Sequence, residues 1–363
     1  MVTGLREIMT MRDMAVQRPT FVLARGAYDA PGASVSPGTP ERILPFKAEY
    51  PRNRLGLARW ITDADHPLTS RVAVNRAWKH HFGRGLVPTV EDFGMQGRAP
   101  SHPELLDWLA YRFMSSGWDR KALHRLIATS ATYRQASVIT PALAQKDPEN
   151  ILLARGPRHR LSAEVVRDRA LLVSGLLVSR MGGRSVKPYQ PAGVWEEAGT
   201  GKSYTQDHGE ALYRRSLYTF WRRTAPPPSM LTFDAPSREV CTAKREATAT
   251  PMQALVLLND PQFLEAARVL AQRAWKESAD DATRLRGVFR RVIGRDATAQ
   301  EAAVLRRLLD EQREGFRQRP EAASKYVAIG EWPLDESVPP AELAAATVMV
   351  SALMNHDEFV TKR

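Results

Sequence analysis

The chain has 363 residues, more than one hydrophobic core ordinarily serves, and 43% hydrophobic with 25% charged residues are globular proportions that exclude collagen-like, coiled-coil and low-complexity architectures. A formal net charge of +12 points either to an anionic partner (nucleic acid, a membrane surface, an acidic polysaccharide) or to solvated basic faces. Acids mixed among the arginines, as at Arg306, Arg307, Asp310 and Glu311, and the lack of any block of five like charges argue against nucleic acid.

Residues 1–50 read as an extended lead-in from a preceding domain. The opening MVTGLREIMTMRDM has Arg6, Glu7, Arg12 and Asp13 spread through it and no apolar core, so it is not a signal peptide. Thr20–Ala24 is a short strand candidate, and the prolines and glycines from Pro31 to Pro45 block regular structure.

Residues 51–275 read as the main helical domain. Asn53 caps a helix through Leu55, Leu57, Ala58, Trp60 and Ile61. Pro67–Phe82 forms a second, closed by Gly83. Ser101-His-Pro-Glu104 has the form of a capping box, and its helix presents Leu105, Leu106, Trp108, Leu109 and Phe113. Asp119 caps a helix with Leu123, Leu126 and Ile127 inward, and Ser162 opens a long one ending at Gly182-Gly183. The longest apolar run, Ala170–Val178, is far too short to cross a bilayer.

From 183 to 250 glycines, prolines and aromatics rise, and Ser216–Trp221 has strand propensity. Thr250-Pro251 and Asp260-Pro261 start two further helices. Residues 276–363 read as a C-terminal helical subdomain packed on the main one, with helices at Arg284–Ile293, after the capping box Thr298–Glu301, and at Pro340–Met354. The expected fold is mainly α, a multi-helix globular protein with an irregular, weakly β central segment.

The single cysteine, Cys241, excludes an internal disulfide, a cysteine-built zinc or iron–sulfur cage and a C-x-x-C-H haem attachment. It lies between Arg238 and Lys244-Arg245, where positive charge would favour a thiolate, and His208 is the nearest histidine in sequence; packing as an inert small side chain is the plainer reading. Asp234 with Arg238 could hold a polar ligand or satisfy the backbone of an irregular loop. His80 and His81 point about 100° apart on a helix and cannot share one ion, so no metal is expected. His124 reads as packed or half-exposed. Gly199-Thr-Gly-Lys-Ser203 lacks the spacing and following helix of a phosphate loop. Lys187, Tyr189, Trp195, Tyr204 and Trp221, with Arg245, form an aromatic and basic belt suited to sugar rings and acidic groups, or to filling a core of loops.

NRLGLARWITDADHPLTSRVAVNRAWKHHFGRGLV from Asn53, SHPELLDWLAYRFMSSGWDRKALHRLIATSATYRQ from Ser101, GGRSVKPYQPAGVWEE from Gly182, YRRSLYTFWRRTAPPPSMLTFDAPSREVC from Tyr213 and TPMQALVLLNDPQFLEAA from Thr250 carry a resemblance. They resemble the C-terminal domain of unknown function of planctomycete-type cytochrome-c-linked proteins. The resemblance implies large exported proteins with a c-type cytochrome domain ahead of this one, and thus a periplasmic or otherwise extracytoplasmic location. It supplies no catalytic residues. Without a haem motif this chain is expected to carry no cofactor itself, any c-type haem lying on a preceding domain or a partner, and to be a C-terminal piece, a split gene or a shortened paralogue. The leading function is an accessory or binding module beside a cytochrome c partner, contacting acidic polysaccharide. The alternatives are an enzyme acting on carbohydrate, with Asp234, Arg238, Cys241 and His208 as candidates within 183–263, and a basic nucleic-acid-binding protein.

Overall fold

A computed structural model describes residues 9–199 and 201–362; residues 1–8, the start of the segment expected not to be a signal peptide, Thr200, within the glycine-lysine loop, and Arg363 lie outside the described residues. Helix accounts for 48% of the chain and strand for 5%, so the fold is mainly α. No described helix is long and apolar enough to cross a membrane. The chain divides into two compact units, residues 1–134 and 135–363.

The first unit opens with an antiparallel hairpin, β1 (Thr20–Leu23) and β2 (Pro31–Val35), every residue of which is exposed. The prolines and glycines expected to block structure here instead carry β2, whose Pro31 is its first residue, a position where a missing N–H costs no ladder bond. Four helices follow: α1 (Arg54–Ile61), α2 (Thr69–Phe82), α3 (Pro103–Ser115) and α4 (Arg120–Thr129). The Asn53 carboxamide caps α1 by accepting from the Leu55 and Gly56 N–H groups, yet only Gly56 and Trp60 of α1 are buried, and Leu55, Leu57 and Ile61 face solvent. Gly83 ends α2 in the left-handed region at φ 76°, and Asp119 caps α4.

The capping box at Ser101 does not form. His102 is the N-cap of α3 and makes no side-chain cap, while the Ser101 hydroxyl pairs with His102 Nδ1. Trp108 is half-exposed under the Arg112 guanidinium. The core is built from Trp60, Val74, Trp78, Phe82, Leu106, Leu109, Phe113, Leu123 and Ile127. Its polar pin is Asn75, wholly buried, whose amide donates to the Val87 carbonyl at 2.9 Å and accepts from the Val87 N–H at 2.8 Å.

The second unit holds α5 (Pro141–Lys146), α6 (Ala163–Ser174), α7 (Val194–Glu197), α8 (Pro228–Thr232), α9 (Pro251–Asn259), α10 (Pro261–Glu277), α11 (Asp281–Ile293), α12 (Ala299–Arg317), α13 (Pro320–Val327), α14 (Pro340–Met354) and α15 (Asp357–Val360). A two-residue pair, β3 (His159–Arg160) and β4 (Thr361–Lys362), joins its ends. Helix α10 is the centre, packed on α6, α9, α11 and α14, and it buries residues around most of its circumference. Phe263, Leu264, Val269 and Leu270 each contribute about 1.5–3 kcal/mol of burial. Fully buried alanines on α10 (Ala266, Ala267) and α14 (Ala344, Ala345) keep side-chain bulk between these helices small.

Residues on either side of 275 share this one core, because α10 and α14 pack together. Helix α6 ends at Ser174, earlier than the glycine pair suggests, since Gly175 takes φ 80° and the Arg273 guanidinium fills the space beside it. Ser216–Trp221 is not a strand but a 3-10 turn, Ser216–Tyr218, followed by a single bridge from Val186 to Thr219.

Two buried arginines hold the irregular middle. Arg167 on α6 donates to Gln262 Oε1 (2.6 Å), to the Leu212 and Arg214 carbonyls (2.6 and 2.9 Å) and to the Ser216 hydroxyl (3.2 Å). Arg214 donates to the carbonyls of Arg180, Gly182 and Arg184 and stacks 3.8 Å from the Tyr218 ring centre. Loop carbonyls with no helix or sheet to satisfy them thus meet guanidinium donors.

Candidate functional site

The Val186–Thr219 bridge sets Lys187 beside Phe220, through Val186 N–H to the Tyr218 carbonyl (2.8 Å) and Phe220 N–H to the Val186 carbonyl (2.7 Å). Gly193, at φ 87°, turns the chain into α7 and drives Trp195 into the interior, 5% exposed. Tyr204 donates its hydroxyl to the Pro188 carbonyl at 2.5 Å and meets the Trp195 ring edge-on. Together these turns build an aromatic box: the Lys187 ammonium lies 5.1 Å from the Trp195 ring centre, 5.6 Å from Phe220 and 5.9 Å from Tyr204.

A second cation enters the same box. The Arg222 guanidinium sits 4.5 Å from the Trp195 ring centre, and its Nη1 is buried with no hydrogen-bond partner. Among the described residues no carboxylate bonds the Lys187 ammonium or the Arg222 guanidinium. Asp207 feels the charge of Lys187 but accepts from the Lys187 backbone N–H (2.8 Å) and from Arg184 (2.7 Å). Burial pushes the Asp207 carboxyl up; Arg184 and that N–H outweigh it and hold it below the usual carboxylate range. Burial, reinforced by Asp207, pushes the Tyr204 phenol well above its ordinary value, so it remains a neutral donor. Two cations thus face one aromatic ring, and no carboxylate bonds either of them among the described residues.

The remaining sequence candidates take other positions. Tyr189 accepts the Glu331 N–H at 2.9 Å, and burial together with Glu265 raises its pKa. His208 is exposed and pairs with Glu331 Oε1 at 2.6 Å. Asp234, at φ 61°, does not pair with Arg238: it takes Arg160 Nη2 (3.1 Å) and the Thr248 N–H and hydroxyl (2.8 and 2.9 Å), fastening the base of an exposed loop. Arg160 also donates to Gln253 at 2.5 Å, so this network is a clasp for the loop. Arg238 lies 4.4 Å over the Trp221 ring, whose Nε1 donates to the Ser237 carbonyl. Arg245 forks onto Glu164 at 3.0 and 2.8 Å. Cys241 is a free, exposed thiol on that loop, while His208 is engaged with Glu331.

The structure therefore gathers Lys187, Trp195 and Tyr204 and adds Phe220, Arg222 and Asp207, which sequence reasoning passed over. The signal for Arg222 was its place directly after Phe220-Trp221. Trp195 is too deep to offer a face to a sugar ring; it holds cations instead. Elsewhere, Glu301, His356 and Glu358 have ligand atoms within 4.8 Å of one another, but Arg295 occupies the cation's place, bonded to both carboxylates at 2.6 and 2.7 Å.

Residues 53–309 match the family described as PSD1, protein of unknown function (DUF1553). The chain belongs to this family. No curated protein and no solved structure matches it. The PSD1 match starts at Asn53, the cap of α1, and ends within α12, so it takes in the whole aromatic box.

Proposed function

We propose that this PSD1 chain is a non-catalytic, extracytoplasmic accessory module that contacts acidic carbohydrate through Lys187 and Arg222 and works beside a c-type cytochrome-bearing domain or partner. The observation that carries the reading is the convergence of these two cations on Trp195 without a bonded carboxylate, Arg222 Nη1 lacking any acceptor. A sulfate or uronate group supplies counter-charge to the half-buried Lys187 and Arg222, and half-exposed Phe220 offers an apolar rim to the sugar ring carrying it. The net charge of +12 favours such encounters. A c-type haem would lie on the preceding domain or partner, because this chain has no C-x-x-C-H.

Calorimetric titration with sulfated and uronate-rich polysaccharides, against neutral dextran, tests the reading. Binding to the acidic polymers should weaken by about tenfold in Lys187→Ala or Arg222→Ala, which corresponds to about 1.4 kcal/mol. Equal binding of dextran, or affinity unchanged in both variants, refutes it.

A further inference from the structure

Helix α2 packs against α4 within the first unit. His81, in the last turn of α2, meets His124 of α4: Nε2 of the first and Nδ1 of the second stand 2.9 Å apart, with the ring centres 5.1 Å apart. Tyr133 braces the His81 ring edge-on at 5.2 Å and also packs edge-on against Phe82 at 5.7 Å. Adjacent histidines in sequence cannot share an ion, but the tertiary fold supplies His81 with a second imidazole from another helix.

We infer that His81 and His124 form a two-imidazole binding site for a divalent transition-metal ion. In the metal-free protein one proton bridges the two nitrogens, since one ring must donate and the other accept. A metal ion takes that proton's place and releases it. Two imidazole nitrogens bound to one ion at about 2.0–2.1 Å stand about 2.9–3.3 Å apart, depending on the ligand angle. The observed 2.9 Å is close enough for a small turn of the rings to aim both nitrogens at one ion, and imidazole pairs rank Cu²⁺ and Ni²⁺ above hard ions such as Mg²⁺. His124 is exposed, so water can complete the coordination shell.

The test is titration of the intact protein with CuCl₂, followed by calorimetry and electron paramagnetic resonance. One tight site per chain is expected, with superhyperfine splitting from two imidazole nitrogens. His81→Ala and the exposed-position variants His124→Ala and His124→Gln should each weaken it by at least about tenfold. His208→Ala serves as the control and should leave it unchanged. Affinity retained in both His124 variants, or a spectrum with fewer than two nitrogens at the tight site, overturns the assignment.

Discussion

Replacing Arg167 by methionine tests whether the buried guanidinium holds the central segment in place. The arginine is 3% exposed and satisfies Gln262 Oε1, the Leu212 and Arg214 carbonyls and the Ser216 hydroxyl. Methionine fills similar space but donates nothing, and each buried acceptor left unpaired costs about 1–3 kcal/mol. Part of that loss is offset, because burial disfavours the charged guanidinium and pulls its pKa below the ordinary value. The net expectation is a loss of about 3–5 kcal/mol, or about 6–20 °C in Tm for a unit of this size. Urea denaturation followed by circular dichroism measures it, and amide exchange should accelerate across residues 178–219, whose carbonyls lose their anchor. A variant that unfolds within about 1 kcal/mol of wild type, with unchanged exchange, would refute the reasoning.

Burial holds the Asp260 carboxyl up at about 6 against an ordinary 3.8, although the Gln262 N–H and Arg167 pull it down. Between those values the folded chain keeps a proton that the unfolded chain has released, so this group's contribution to stability falls as pH rises from about 4 to about 6, by up to about 3 kcal/mol. Asp260→Asn keeps the cap on α10 and should flatten that slope; urea midpoints at pH 4 and pH 7 that differ as in wild type would count against it. Gly330 lies at φ 94°, and a Cβ there would come within 2.5 Å of the Glu265 carboxyl carbon. Glu265 is 1% exposed and fixed by the Tyr213 hydroxyl and the Trp332 N–H, so Gly330→Ala should cost about 1–3 kcal/mol; an unchanged denaturation midpoint would show that this segment can shift.

The sequence by itself determined the mainly α class and most helix starts and stops. Asn53, Asp119, Asp260 and Thr298 accept from first-turn N–H groups, and Gly83 and Gly294 close helices, because caps depend on residues a few positions away and little else. It erred where neighbours distant in sequence compete: Gly175 ends α6 beside Arg273, and Ser216–Trp221 curls into a 3-10 turn pinned by Arg167 and Asp168. Aromatic and basic composition singled out Lys187, Trp195 and Tyr204 as a group. Only the tertiary structure decided that Arg222 joins them, that Asp234 belongs to Arg160 and Thr248 and not to Arg238, and that His81 reaches His124 across 43 positions. Caps are written in local spacing, whereas the pairing of a charge or an imidazole depends on which loops and helices the core brings together.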